Sequence, residues 1–176
     1  MNLPNFITII RILLIPVFID LLIYGFHEWA FAVFLTAALT DSLDGLIARL
    51  TNQRTRLGAY LDPMADKLLL TAAFLALTVL QFIPVWSAVI MVSRDIILVL
   101  GALILHLTEI RQNFMPSFLG KSTTAAQLGY VTASLFLIAL NGSAQMLLPL
   151  LWVTAALTIL SGLHYIYIGF RSLNYE

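Results

Sequence analysis

The sequence predicts an all-α integral membrane protein of six transmembrane helices, forming one domain over residues 1–176. Of the 176 residues, 61% are hydrophobic and only 10% are charged, whereas a soluble domain carries about 25% charged residues. A membrane helix needs about 20 mostly apolar residues, and six such stretches follow one another with short connections between them. They cover residues 5–24, 29–50, 58–80, 84–107, 119–140 and 146–170.

The distribution of Lys and Arg predicts which side of the membrane each connection faces. Arg54 and Arg56 lie in the connection after the second stretch, Arg111 lies after the fourth, and Arg171 lies after the sixth. The connections after the first, third and fifth stretches contain neither residue type. Because loops rich in Lys and Arg stay in the cytoplasm, we expect both termini there, in the inner membrane of a bacterium. The N-terminal stretch lacks the basic region and cleavage site of a signal peptide.

Composition also excludes some classes of site. The chain has no cysteine, which rules out a disulfide framework and a thiolate-bound metal. A net charge of zero gives no indication of a nucleic-acid partner. Ionisable side chains inside a membrane span are costly and usually indicate function. Nine fall inside the predicted spans at least four residues from either end: Arg11, Asp20, Asp41, Asp44, Asp62, Asp66, Lys67, Arg94 and Asp95. Structural ion pairing remains an alternative for any one of them.

Four carboxylates form two pairs on consecutive predicted helices. Asp41 and Asp44 are three residues apart, and Asp62 and Asp66 are four apart, so each pair shares one helix face. At 1.5 Å per residue, the inner member of each pair lies about 12–14 Å from the basic loop that joins the helices. Four carboxylates this close need a counter-charge, and oxygen ligands suit Mg²⁺ or Mn²⁺. Two such ions would suit phosphoryl transfer.

Small residues accompany the carboxylates of the second helix. Gly45 and Ala48 lie on or beside the face that carries Asp41 and Asp44. Small residues allow membrane helices to pack closely, and beside a metal site they would also leave room for a phosphate or a sugar. Physical reasoning alone leaves both interpretations open.

The segment from Asp41 to Asp66 reads D-x2-D-G-x2-A-R-x8-G-x3-D-x3-D. It resembles the signature of the CDP-alcohol phosphatidyltransferases, six-helix membrane enzymes that join a CDP-linked lipid to an alcohol and release CMP. The resemblance implies that Asp41, Asp44 and Asp62 hold two divalent cations. It implies that Asp66 also approaches the metals and acts as general base on the acceptor hydroxyl. It also implies a homodimer, and a nucleotide pocket for which we name Gly45, Ala48, Arg49, Gly58, Asn5 and Thr8.

Other segments bear on the acceptor alcohol. The start, LPNFITIIRILLIPVF, resembles family members that make phosphatidylglycerophosphate or cardiolipin, and GKSTTAAQ resembles an element of the phosphatidylglycerophosphate synthases. Glycerol 3-phosphate carries about two negative charges and needs fixed cations. We assign Arg94, Lys121 and Arg11 to its phosphate. The alternatives are a local carboxylate pair for Arg94, extension of Lys121 to the membrane surface, and, for Asn5, a helix cap.

Two alternative functions remain at this point. The Arg94-Asp95 pair and the stretch MPSFLGKSTTAAQ also resemble cardiolipin synthases, whose acceptor is phosphatidylglycerol, although we favour glycerol 3-phosphate. A metal- or proton-coupled transporter would also place carboxylates inside the membrane. Against a transporter, the four carboxylates cluster toward one side, and simple ion transfer gives no role to the fixed Gly and Arg positions.

Overall fold

The computed structural model describes residues 3–50, 56–107 and 118–173, with side chains for 8–40, 64–101 and 118–169. These ranges contain six long α-helices and a short 3-10 helix at Ala144–Leu147. The α-helices are α1 (Leu3–Ile23), α2 (His27–Leu50), α3 (Arg56–Val79), α4 (Val85–Leu107), α5 (Phe118–Ala139) and α6 (Leu148–Leu173). The predicted all-α class and the six predicted helices are confirmed. The 3-10 helix was not predicted; the Ser143 hydroxyl accepts a hydrogen bond from the Gln145 backbone N–H at its start.

Three short turns connect the helices at one end of the molecule. Gly25 lies between α1 and α2 with φ of 79°, Gln81 follows α3 with φ of 60°, and Asn141 follows α5 with φ of 56°. Residues in the left-handed region commonly end helices because they let the next backbone N–H groups reach the last free carbonyls. Gly142 N–H donates to the Leu137 carbonyl in this way, at 2.7 Å. The two basic connections predicted for the opposite end lie outside the described residues.

Helix α1 is central to the N-terminal half. It packs against both α2 and α3, whereas α2 and α3 make few direct contacts among the described residues. Phe18 of α1 lies against Phe34 of α2 with ring centroids 5.6 Å apart. Helix α5 joins this half to the rest, since it packs on α2, α3 and α6, and Tyr130 stacks on Phe74 of α3. The sequence predicts that α2 and α3, joined by one loop, bring their carboxylates together; the structure adds that α1 contacts both helices.

Polar side chains lie inside the bundle beside the apolar core, and many large apolar side chains are exposed on its outside. The fully or almost fully buried polar residues include Thr8, Arg11, Arg94, Thr123, Gln127, Thr158 and Ser161. The exposed apolar residues include Leu13, Trp29, Val79, Phe118, Met146 and Trp152. Buried hydroxyls donate to carbonyls one turn earlier, as from Thr154 to Leu150 at 2.8 Å. Among the described residues, one helical segment, Ala144–Gly169, is long and apolar enough to cross a membrane by length and composition. The other predicted spans stay predictions.

Candidate active site

The four candidate metal-binding aspartates lie on α2 and α3. Asp41 and Asp44 belong to α2, and Asp62 and Asp66 belong to α3. Of these four, only the Asp66 side chain is among those described, and it is partly buried. Among the described side chains, no group of three or more potential ligands forms a metal site. The predicted metal centre, together with Gly45, Ala48, Arg49 and Gly58, therefore lies outside the described side chains and stays a prediction.

The helix bounds place Asp41, Asp66 and Arg11 at similar distances from the end of the molecule that carries the short turns. Counted from the turn end of each helix, Asp41, Asp66 and Arg11 all lie about 20 Å along the axis at 1.5 Å per residue. Arg11 and Thr8 are fully buried on α1, the helix that packs on both aspartate-bearing helices. A buried cation is costly unless negative charge compensates it. The position of Arg11 is therefore suited to balancing carboxylates of α2 and α3. The Asn5 side chain lies outside the described set.

A second polar region lies where α3, α4, α5 and α6 meet. It is an open cleft with a volume of about 470 Å³. Its lining comprises Lys67, Arg94, Leu98, Gly120, Lys121, Thr124, Ala125, Leu128 and Tyr165. Two predicted acceptor-binding residues, Arg94 and Lys121, therefore share one cleft, whereas Arg11 is not part of its lining.

Arg94 is anchored on two sides within this cleft. Its residue is only 6% exposed, and its Nη1 donates to Asp95 Oδ1 at 2.7 Å. Its Nη2 donates to Ser161 Oγ of α6 at 3.3 Å. Its Nε is buried and has no hydrogen-bond partner in the part of the chain that the structure describes. The local carboxylate pair considered for Arg94 therefore exists, and the guanidinium retains donors beyond those it uses.

The cleft carries more positive than negative charge. Lys67 Nζ lies 4.0 Å from the same Asp95 oxygen that Arg94 contacts. Lys121 is exposed and lines the cleft. The described lining thus contains three cationic side chains and no carboxylate, while Asp95 pairs with Arg94 beside it and Asp66 precedes Lys67 on α3. Such an excess attracts an anion, and phosphate oxygens accept charge-assisted hydrogen bonds from Arg and Lys.

Buried hydrogen bonds tie α5 to α6 beneath the cleft. Gln127 Nε2 donates to Thr158 Oγ1 at 3.2 Å and approaches Met91 Sδ of α4 at 3.1 Å. Thr123 Oγ1 lies 2.7 Å from the Leu119 carbonyl and 3.2 Å from the Leu157 carbonyl of α6. The residues of the element GKSTTAAQ therefore have two different roles. Lys121 and Thr124 line the cleft, while Gln127 holds the helices together.

Sequence reasoning missed two lining residues. Lys67 was recognised only as a charge inside a span and received no role. Tyr165 gave no signal, because a tyrosine in an apolar helix is common at packing positions. A Cβ added to Gly120 would lie 2.6 Å from the Tyr165 hydroxyl oxygen, so the absence of a side chain at Gly120 lets this hydroxyl reach α5. The glycine directly before Lys121 was the available clue.

Comparison with known proteins decides the family. The sequence profile described as CDP-alcohol phosphatidyltransferase matches residues 1–160. The chain belongs to the CDP-alcohol phosphatidyltransferase family. This is a family of membrane enzymes, so the predicted resemblance and the predicted class of enzyme, a phosphatidyltransferase, are confirmed.

Named relatives of this family member include both kinds of synthase considered above. A protein of Mycobacterium tuberculosis named probable phosphatidylglycerophosphate synthase is 35% identical over 98% of this chain and 83% of its own length. A CDP-diacylglycerol–glycerol-3-phosphate 3-phosphatidyltransferase of Haemophilus influenzae is 36% identical over 98% of this chain and 95% of its own. A human cardiolipin synthase (CMP-forming) is 34% identical over 98% of this chain and 63% of its own.

Proposed function

We propose that this protein transfers the phosphatidyl group of CDP-diacylglycerol to glycerol 3-phosphate, forming phosphatidylglycerophosphate and releasing CMP. The observation that carries the proposal is the cleft whose described lining holds the three cations Arg94, Lys121 and Lys67. A phosphate monoester with about two negative charges matches this excess. The bacterial relatives named for glycerol 3-phosphate transfer support the same acceptor.

In the proposed reaction, Asp66 is the general base. A neutral alcohol is a poor nucleophile, and a carboxylate within hydrogen-bond reach accelerates its attack by taking the proton. The acceptor oxygen forms a bond to the phosphorus that bears diacylglycerol. The bond from that phosphorus to the CMP oxygen breaks, the electron pair leaves with CMP, and the proton passes to Asp66. No covalent enzyme intermediate is required.

The aspartates of α2 and α3 provide oxygen ligands for divalent cations. Asp41, Asp44, Asp62 and Asp66 form a donor set without sulfur or nitrogen, which fits Mg²⁺ or Mn²⁺. When bound there, the two cations supply charge neutralisation of the pyrophosphate. The common depth of Asp41, Asp66 and Arg11 supports this assignment. We assign the nucleotide pocket to Gly45, Ala48, Arg49 and Gly58, with Asn5 and Thr8.

The proposed membrane arrangement has six transmembrane helices in one domain over residues 1–176. Both termini and the active site would face the cytoplasm, and two chains would form a homodimer. Burial of polar side chains with exposure of apolar ones supports a lipid environment, because interhelical contacts in membranes favour small and polar residues. The turns at Gly25, Gln81 and Asn141 contain neither Lys nor Arg, which supports their placement outside the cytoplasm.

Cardiolipin synthesis from phosphatidylglycerol is the second candidate. The human relative named cardiolipin synthase favours it, at 34% identity over most of this chain. A phosphodiester acceptor carries one negative charge, so it matches the charge of the cleft less well than a phosphate monoester does. The transporter considered from the sequence lacks support, since the chain belongs to an enzyme family.

The proposal is tested by measuring CMP release from CDP-diacylglycerol by the purified protein in detergent. We expect release with glycerol 3-phosphate and Mg²⁺ or Mn²⁺, much less with phosphatidylglycerol, and none after chelation of divalent cations. Faster CMP release with phosphatidylglycerol than with glycerol 3-phosphate would show that the protein is a cardiolipin synthase instead. Absence of release with either acceptor would overturn both.

A further inference from the structure

Both lysines of the chain line the same cleft. The sequence contains Lys67 and Lys121 and no other lysine, and both belong to the lining. Lys121 was assigned to the acceptor phosphate from the sequence, whereas Lys67 had no role. Lys67 lies on α3 directly after Asp66, the proposed base. It is the residue through which α3 lines the cleft where α3, α4, α5 and α6 meet.

Lys67 is held only loosely where it lies. Its side chain is 39% exposed, and its Nζ is 4.0 Å from Asp95 Oδ1, the outer limit of an ion pair. An ion pair this exposed and this long contributes little to stability. The same carboxylate oxygen already accepts the short hydrogen bond from Arg94. Lys67 therefore gives up little if it turns to another anion.

Arg94 places a second cation beside Lys67 in the cleft. The Nε of Arg94 is buried and unpartnered within the described ranges, although buried donors are normally satisfied. The residue is almost fully buried, and part of it lines the cleft that Lys67 shares. Since Arg94 and Lys67 both approach one oxygen of Asp95, the two cations lie close enough together to contact one phosphate.

We infer that Lys67 is a third cation for the acceptor phosphate and a determinant of preference for a phosphate monoester over a phosphodiester. This inference rests on the proposed function. Lysine carries three donors on a flexible stem, so Lys67 can leave Asp95 and contact the phosphate that Arg94 and Lys121 bind. Successive residues of a helix point about 100° apart, so Lys67 holds the phosphate while Asp66 faces the reacting hydroxyl. Helix α3 thereby fixes the distance between the bound phosphate and the reacting hydroxyl of the acceptor.

Steady-state kinetics of Lys67→Gln and Lys67→Arg test the inference, with Lys121→Gln as comparator. Loss of a charge-assisted hydrogen bond should raise KM for glycerol 3-phosphate about tenfold or more, with KM for CDP-diacylglycerol unchanged. Lys67→Arg keeps the charge and should recover part of the affinity for glycerol 3-phosphate that Lys67→Gln loses. If KM for glycerol 3-phosphate is unchanged in Lys67→Gln but raised in Lys121→Gln, the inference about Lys67 is overturned while the proposed function stands.

A second measurement does not depend on turnover. An amine-reactive reagent will modify Lys67 and Lys121 of the wild-type protein, and peptide mass spectrometry separates the two sites. We expect glycerol 3-phosphate to slow modification of both lysines, and glycerol, its uncharged counterpart, to slow neither. Protection of Lys121 alone would overturn the role of Lys67. Protection of neither lysine, with no CMP release, would overturn the proposed function as well.

Discussion

Arg94 illustrates how single side chains of this protein combine structural and functional roles. Its short hydrogen bond to Asp95 and its contact with Ser161 fix the guanidinium between α4 and α6. A buried cation without such partners would be strongly destabilising. The same contacts leave donors available at the cleft. Local pairing and phosphate binding, which were alternatives from the sequence, are therefore compatible in the folded protein.

Asp66→Asn tests the proposed base at the residue scale. Asparagine keeps the size of the side chain but cannot accept the proton of the acceptor hydroxyl, so turnover should fall about 10²–10⁴-fold. Thermal stability and binding of CDP-diacylglycerol should be retained. CMP release measures turnover, and equilibrium binding measures the lipid. Turnover equal to that of the wild type would remove Asp66 from the base role.

Gly120→Ala tests the close approach between α5 and Tyr165. The new Cβ would lie 2.6 Å from the Tyr165 hydroxyl, so the flexible tyrosine must move and the cleft must change shape. We expect a folded protein with a raised KM for the acceptor. Gly129→Ala is the matched control on the same helix, because its Cβ would meet nothing within 4 Å. Equal kinetics for the two variants would show that the position of Tyr165 does not matter.

At the scale of the elements, α5 connects the halves of the molecule, together with the contact between α3 and α4. It packs against α2, α3 and α6, and its buried face includes Thr123, Gln127, Tyr130 and Ser134. A polar residue buried between helices is stabilising only when its hydrogen bonds are made. The contact between Gln127 and Thr158 meets this condition and specifies how α5 and α6 align.

Gln127→Leu should weaken the contact between α5 and α6. Interhelical hydrogen bonds in membrane proteins contribute about 0.6 kcal/mol on average and up to about 1.7 kcal/mol, so the loss of stability should fall in this range. Thermal or denaturant unfolding in detergent measures it. Thr132→Val is the control, because the Thr132 hydroxyl bonds within its own helix, to the Leu128 carbonyl. If Gln127→Leu leaves the stability unchanged, the contact between Gln127 and Thr158 has no structural role.

At the scale of the whole molecule, the described residues bury several polar groups within an apolar core and expose many large apolar side chains. Arg11, Gln127 and Thr158 are buried, whereas Leu13, Trp29 and Trp152 are more than half exposed. A water-soluble protein rarely exposes large contiguous apolar patches, and the exposed apolar residues here occur on all six helices. Lipid as the surrounding solvent accounts for this distribution, since lipid leaves backbone and side-chain polar groups to be satisfied internally.

Single cysteines introduced into this cysteine-free chain test the proposed orientation. Gln145 is exposed near the turn before α6, and Gln53 lies in a connection rich in arginine. A membrane-impermeant maleimide should label Gln145→Cys in cells whose inner membrane is intact. It should label Gln53→Cys only after that membrane is opened. The reverse pattern would place the proposed active site on the outer side.

The sequence by itself determined the helices and the family. Long apolar runs separated by turn residues and arginines are local properties, so all six helices could be predicted within a few residues. The helical period by itself shows that Asp41 and Asp44 share one helix face and that Asp62 and Asp66 share another. The signature could therefore be recognised from the sequence. The short helix at Ala144–Leu147 escaped prediction because a single 3-10 turn has no hydrophobic period to detect.

Only the tertiary structure decided which distant residues share a site. Lys67, Arg94, Lys121 and Tyr165 lie on four different helices, and no periodicity along the chain relates them. Their convergence depends on how the helices cross, which is set by side-chain packing and by small residues such as Gly120. The same packing placed α1 against both α2 and α3. Helix formation follows from local sequence, whereas the meeting of helices depends on contacts between residues far apart in the chain.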